Sequence, residues 1–264
     1  MNADGDGGAI VLRSERELDR LREAGAIQCE VLDALGAAVA AGVTTGELDA
    51  LAERLIRQAG AVPTFKGYHG FPAAICASVN DEVVHGIPDR RRLRAGDIVS
   101  CDVGVTLDGF IGDGARTYAV EPVDAETRRL LEVTQASLAA GIAAARVGAR
   151  VGDIGHAVQS LVEAAGFSVV RDYCGHGVGT SMHEPPQVPN HGRPGRGPRL
   201  RPGMVLAIEP MVNAGGFRVR VGRNRWTVLT QDGARSAHFE HTVAIGSDGP
   251  RILTAPRTKA AGVT

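Results

Sequence analysis

Several things are scarce in this 264-residue chain, and each scarcity excludes a class of protein. Aromatic residues make up 4%, and the formal net charge is −1, so no global pull toward nucleic acid or anionic membrane is expected. No apolar run approaches the ~20 residues that span a bilayer. The opening MNADGDGGAI has neither the positive segment nor the apolar core of a signal peptide, so a cytoplasmic protein without membrane partners is expected. Four cysteines occur (Cys29, Cys76, Cys101 and Cys174), none in a CxxC pair, which argues against zinc fingers and a disulfide framework. A Cys174–His176 nucleophile is conceivable, but it leaves the acids described below without a purpose.

What the chain does have is a repeat. Leu93–Asp102 (LRAGDIVSCD) is matched by Leu200–Glu209 (LRPGMVLAIE) at an offset of 107, and Gly42–Val62 by Gly148–Ser168 at 106. Each copy carries a helical stretch, a basic turn with Gly, and an apolar run ending in a carboxylate. Equivalent halves that each deliver an acid from a buried strand converge on one central site. Buried carboxylates are costly unless something positive lies between them, so the repeat points to a metal.

Periodicity and turn chemistry predict helices over Ser14–Ala41 (with a Ser14/Glu17 capping box), from Thr45 to a stop at Gly60, over Ala125–Ala145 and over Val151–Ala165. Ala73–Val84 reads as strand, turn at Asn80-Asp81, strand. Ile98–Val105 and Phe110–Val120 flank an Asp108-Gly109 hairpin signal, Val205–Ile208 is a buried strand, and Trp226–Thr230 and Ala237–Ile245 flank Asp232-Gly233. Proline-rich Pro185–Pro202 reads as loop. Helices followed by antiparallel strands, twice over, indicate an α+β fold: two pseudo-symmetric halves, about 14–121 and 125–246, with helices covering a curved antiparallel sheet. One domain over 14–254 is expected, with a disordered tail at 1–13 and a loose one at 255–264.

Asp102 and Asp113 sit on the two arms of the first hairpin. With Leu107 and Asp108 as its turn, they would face each other directly; moving the turn by one residue shifts the pairing but still leaves them close. The glycines around Asp113 mark a bulge or a close backbone approach to a ligand. The glycines around His176 (CGHGVG) place it on tight, irregular backbone. Pro210 biases Glu209 to extended geometry. Glu240 lies in the alternating run AHFEHTVAI, with His241 on the opposite face.

The segments DVGVTLDGFIGD, CGHGVG, LAIEP and HFEHT resemble the metal-ligand segments of the methionine aminopeptidase family, in the short type I form found in bacteria, within the wider creatinase/aminopeptidase "pita-bread" family. The resemblance spans about Ser14–Leu253. It implies two divalent ions on Asp102, Asp113, His176, Glu209 and Glu240. Asp113 and Glu240 would bridge, Asp102 would chelate one ion, and His176 with Glu209 would bind the other. Four carboxylates match two divalent cations in charge, and the oxygen-rich set suits Mn, Fe or Co, with Zn also compatible. Two ions about 4 Å apart can share one water and lower its pKa, which is the bridging hydroxide that the resemblance implies.

The same resemblance assigns His85 to the scissile amide nitrogen, His183 to the developing oxyanion, and Glu209 to proton shuttling. It places Phe65, Tyr68, Phe71, Cys76, Met182 and Trp226 in the wall of a pocket for the methionine side chain. It puts Asn80 and Ser236 at backbone ligands of one monovalent cation. His69 and His238 are read as structural. The expected reaction is removal of the initiator methionine from deformylated nascent chains, with a small second residue. The expected state is a monomer, and the basic runs Asp89–Arg94 and Arg193–Arg201 are candidates for ribosome contact. The alternatives are cleavage before proline on the same fold and a non-catalytic pita-bread binding protein.

Overall fold

Two helices of equal length show how the duplication works. The computed structural model describes residues 8–257. In it, α1 (Glu15–Ala38) and α2 (Thr45–Gln58) are followed by β1 (Val62–Pro63), β2 (Cys76–Val79), β3 (Glu82–Val84), β4 (Ile98–Leu107) and β5 (Phe110–Ala119). Next come α3 (Ala125–Ala144), α4 (Val151–Ala164), β6 (Ser168–Val169), β7 (Gly175–Gly177), β8 (Glu184–Val188), β9 (Val205–Ile208) and β10 (Met211–Asn213). The chain closes with β11 (Val219–Val221), β12 (Val228–Thr230), β13 (Ser236–His238), β14 (His241–Gly246) and β15 (Gly249–Ile252). Thus α2 and α4, each of 14 residues, stand at the repeat offset.

Their surroundings repeat too. The N-cap backbone N–H of Thr44 donates to Glu47, and that of Arg150 donates to Asp153. Gly46 N donates to Asp89 O, and Gly152 N to Arg196 O. Gly42 N donates to Leu93 O, and Gly148 N to Leu200 O. The basic turns therefore dock on helix N-termini, where unsatisfied N–H groups need acceptors. Leu93 and Leu200, both buried, anchor the turns in two separate cores.

All strand pairs are antiparallel, but the strands fall into four sheets rather than one continuous curved sheet. The two larger ones, β1-β4-β2 with β5 on β4, and β15-β14-β9-β7-β8, belong to one half each. They are stitched together where β5 meets the β13–β14 corner. Glu240 N donates to Ala115 O, Thr117 Oγ1 donates to His238 O, and His238 N donates to Thr117 Oγ1.

Some sequence expectations differ from the structure. The long first helix stops at Ala38 and not Ala41. The first hairpin turns at Asp108-Gly109, and Leu107 pairs with Phe110. The residues around Asp232-Gly233 do not form a laddered hairpin, because β12 pairs with β11 and β3 while β13 pairs with β10. Asp232 instead accepts from Ala234 N and Gly216 N. Part of the proline-rich segment is strand β8, paired with β7. Of the expected N-terminal tail, residues 1–7 lie outside the described residues. Arg13, however, pairs with Glu184 at 2.6 Å, and its N–H donates to Gly203 O. Of the expected C-terminal tail, residues 258–264 lie outside the described residues. No helix among the described residues is long and apolar enough to cross a membrane.

Candidate metal centre

Four acids and two imidazoles reach the centre from both halves. The one-residue shift of the first hairpin's turn pairs Asp102 with Ala115 and Asp113 with Gly104. The two aspartates are therefore diagonal neighbours on one face rather than directly opposed. A shift of the pairing by two residues preserves the face, so the chemistry survives the correction.

The glycines beside Asp113 create no bulge, since the β4–β5 register runs unbroken. They admit helix α1. A Cβ on Gly112 would lie 2.5 Å from Gly25 N, and one on Gly114 would lie 2.7 Å from Gln28 Nε2. Asp113 is further held by Thr242 Oγ1, which accepts from its N–H at 3.1 Å and donates to its carbonyl at 2.8 Å.

His176 lies within strand β7 and not on irregular backbone; its flanking glycines serve close strand packing. A Cβ at Gly175 would meet Ala207 O at 2.2 Å, and one at Gly177 would meet Pro185 O at 2.4 Å. The ladder to β8 does shift register at His176/Gly177. His176 Nδ1 is 2.9 Å from Gly177 O, so Nδ1–H donates there and Nε2 is left as a lone pair directed at the acids. Glu209 leaves the end of β9, and its carbonyl accepts from Asn190 Nδ2 at 2.9 Å. Glu240 occupies the break between β13 and β14 rather than the interior of one strand.

These groups converge. His176 Nε2 is 3.7 Å from Asp113 Oδ2 and 3.5 Å from Glu209 Oε1. Ligand atoms of Asp113, His176 and Glu240 lie within 4.8 Å of one another, and so do those of Glu209, His238 and Glu240. Asp102 stands outside both triplets, but its Oδ1 is buried without a partner, as are Asp113 Oδ1 and Glu240 Oε1. Burial and then the charge of Asp113 push Asp102 well above the usual carboxylate range. Burial and then Asp113 and Glu209 do the same to Glu240. Burial and then Glu209 raise Asp113 to about 8, and burial raises Glu209 to about 8.

Acids this crowded repel protons' loss unless a cation offsets their charge. The unpartnered oxygens and neutral imidazole lone pairs are the donor set that divalent ions require, so the residues fit a metal pair. Burial also holds the Cys174 thiol up at about 11, aided by Glu209, which removes it as a thiolate nucleophile.

His238, expected to be structural, is 1% exposed and lies in the cluster. The signal was available: the period-two rule that sends His241 away from Glu240 puts His238 on the face of Glu240. Asn190 and Thr242 had no such signal, because nothing local marks a side chain that bonds across 19 or 129 positions.

His183 and His85 flank the cluster. The His183 ring is 4.4 Å from the His176 ring, and its Nδ1 is 2.8 Å from Tyr68 Oη. Tyr68 thus holds the His183 ring in place while packing on the apolar cluster. His85 has left-handed backbone (φ 59°) just after β3, with its ring edge-on to Tyr173. Burial, with His238 and His183 nearby, lowers it to about 4. Phe65, Phe71, Cys76 and Met182 form one buried apolar cluster, with Tyr68 and Trp226 packed on it. Cys76 is the ladder partner of Asp102, so this cluster adjoins the acids. Asn80 and Ser236 also meet, Ser236 N donating to Asn80 O at 2.8 Å.

Comparison with known proteins agrees with this geometry. Residues 19–247 match the model of metallopeptidase family M24. A protein of Clostridium acetobutylicum named methionine aminopeptidase is 52% identical over 246 residues, 93% of this chain and 98% of that one. Methionine aminopeptidase 1 of Mycobacterium tuberculosis is 50% identical over 249 residues, covering 92% and 94%. The crystal structure of methionine aminopeptidase from Rickettsia prowazekii superposes with a TM-score of 0.92 at 42% identity, over 94% of this chain and 100% of that one. Prolidase from Pyrococcus furiosus shares the pita-bread fold at a TM-score of 0.74 and 20% identity, with 66% of its length covered. Two duplicated halves, a carboxylate–imidazole centre between them and this extent of similarity agree: the chain belongs to metallopeptidase family M24.

Proposed function

We propose that this chain is a metal-dependent methionine aminopeptidase that removes the N-terminal methionine from nascent proteins with a small second residue. The observation that carries the reading is the convergence of Asp113, His176, Glu209 and Glu240, with Asp102 beside them, next to an apolar wall sized by Phe65, Phe71, Met182 and Trp226. Similarity of about half the residues over nearly the full length of proteins bearing that name supports it against cleavage before proline, whose representatives match at 20%.

Asp102, Asp113, His176, Glu209 and Glu240 would hold two divalent ions, of Mn, Fe, Co or Zn. When bound, such ions polarise the substrate carbonyl and activate water at neutral pH. The chain's own residues do the rest. Glu209 accepts a proton at its carboxylate and passes it to the leaving amine. His183, steadied through Nδ1 by Tyr68, presents Nε2 to the oxygen that gains charge in the transition state. His85, kept neutral by burial, contacts the scissile amide nitrogen. The Phe65, Tyr68, Phe71, Cys76, Met182 and Trp226 surface takes the unbranched thioether side chain and excludes water from it. Asn80 and Ser236, with adjoining backbones, would contribute carbonyls to one monovalent cation.

The substrates are then deformylated nascent chains, met in the cytoplasm by a monomer. Ribosomal RNA would be approached through Arg90, Arg94, Arg193, Arg196, Arg199 and Arg201, all exposed. Arg91 and Arg92 are engaged within the fold, by Glu82 and by Gly42 O. The decisive assay compares Met-Ala-Ser with an Xaa-Pro peptide, using metal-free protein titrated with Mn²⁺, Fe²⁺, Co²⁺ and Zn²⁺. Turnover of the first is expected; selective turnover of the second would overturn the proposal. Reversing the charge of the exposed arginines should weaken ribosome co-sedimentation at low salt, and unchanged co-sedimentation would remove the ribosome contact.

A further inference from the structure

Glu209 is straddled by two imidazoles, only one of which the family pattern uses. His176 Nε2 is 3.5 Å from Glu209 Oε1 and 3.7 Å from Asp113 Oδ2. His238 Nε2 is 3.6 Å from Glu209 Oε2 and 3.9 Å from Glu240 Oε2. The two rings thus stand in equivalent relation to the acids, each with one nitrogen near two carboxylate oxygens from different segments. Both distances for His238 are too long for a hydrogen bond and match the separation of two atoms that each lie about 2.1 Å from a common ion. His238 Nε2 is buried with no hydrogen-bond partner, and the residue is 1% exposed. A buried polar atom without a partner is costly, so an unsatisfied nitrogen aimed at two carboxylates needs an explanation.

The backbone shows that the placement is fixed. His238 N and O are both bonded to Thr117 Oγ1, at 2.9 and 2.8 Å. Thr117 belongs to β5, the strand that carries Asp113. The ring is therefore set relative to the aspartates of the first half while its own strand leads into Glu240.

We infer that His238 is a sixth protein donor to the metal pair, its Nε2 binding the ion that Glu209 and Glu240 share. The inference rests on the dinuclear reading above and adds a donor to it. A second imidazole turns a set of four carboxylates and one nitrogen into a more nitrogen-rich one. That favours Zn²⁺, Fe²⁺ and Co²⁺ relative to the all-oxygen preference of Mg²⁺ and Mn²⁺.

The test is the full chain, labelled with [¹⁵N]histidine, titrated with Zn²⁺ and followed through the imidazole nitrogens by NMR. Two imidazole nitrogens are expected to move to metal-bound shifts by two equivalents of Zn²⁺, one of which disappears in His238→Gln. Calorimetry on that variant should show one of the two binding steps weakened about tenfold or more, by comparison with the tenfold to hundredfold losses typical of outer-shell partners. If only one imidazole becomes metal-bound while two Zn²⁺ are taken up, the dinuclear reading stands and this inference falls. His238 would then be a buried ring packed beside Glu209 without binding the ion. If no Zn²⁺ is taken up, the dinuclear reading itself fails. Counting metal-bound imidazoles in the unaltered protein decides the matter even if His238→Gln does not fold.

Discussion

Stripping the metal should make the fold lose stability as pH rises from 7 to 8, opposite to the usual behaviour of proteins that rely on ionised carboxylates. A carboxyl whose folded pKa is raised stabilises the fold while it is protonated, and loses that contribution as pH climbs through the folded value. Asp113 and Glu209 are both raised to about 8, from ordinary values of 3.8 and 4.5. Histidines work in the other direction. Burial lowers His85 and His241 to about 4 and His176 to about 3, and lowers His183 and His238 as well. Their contribution is present above the ordinary value of 6.5 and is lost as pH falls below it.

The two effects oppose each other, but between pH 7 and 8 the histidines are mostly neutral even when unfolded, so the five together return only about 0.7 kcal/mol. The cysteines do not yet interfere, with an ordinary value of 9.0. Each proton held only by the folded state costs about 1.4 kcal/mol per pH unit. With midpoints near 8, Asp113 and Glu209 together remove about 2 kcal/mol between pH 7 and 8. Asp102 and Glu240, raised in the same direction, act with the same sign. Net of the histidines the loss is about 1.3 kcal/mol from these two acids, and for a domain of this size the melting temperature should fall by at least roughly 3–5 °C. The assay is calorimetry of chelator-treated protein at the two pH values. Glu209→Gln should remove that residue's own share of the fall, about 1 kcal/mol, and Mn²⁺ at 100 times its Kd should restore about 2.7 kcal/mol. A melting temperature that is constant or higher at pH 8 in metal-free protein would refute the reasoning.

Tyr68→Phe removes the phenol that bonds His183 Nδ1, worth about 1 kcal/mol, and should lower kcat/KM on Met-Ala-Ser roughly fivefold without changing the melting temperature. Thr242→Val strands the backbone N–H and carbonyl of Asp113, and should cost about 2–4 kcal/mol in denaturant unfolding. Gly112→Ala drives a methyl to 2.5 Å from Gly25 N on α1; a loss of about 1–3 kcal/mol is expected, and unchanged unfolding would show that α1 can retreat freely.

The amino-acid pattern alone determined the helices, the duplication and the donor types. Capping at Ser14, the start at Thr45, the apolar period and Gly60 are local, and local signals survive in a linear reading. The repeat made visible that Asp102 and Glu209 are equivalent acids, although β4 continues to Leu107 past Asp102 while β9 stops at Ile208 before Glu209. The tertiary structure decided what depends on contacts between distant segments. The turn at Asp108-Gly109 set the diagonal relation of Asp102 and Asp113, since register follows the φ > 0 demands of the turn. The strand role of the proline-rich segment came from its partner β7, and the glycines around Asp113 and His176 were explained only when α1, Ala207 and Pro185 closed on them. Most of all, His238 entered the centre because Thr117, 121 positions away, holds its backbone on both sides. A sequence names donors and their faces through short-range geometry. Which of them share one ion's neighbourhood is set by packing between halves.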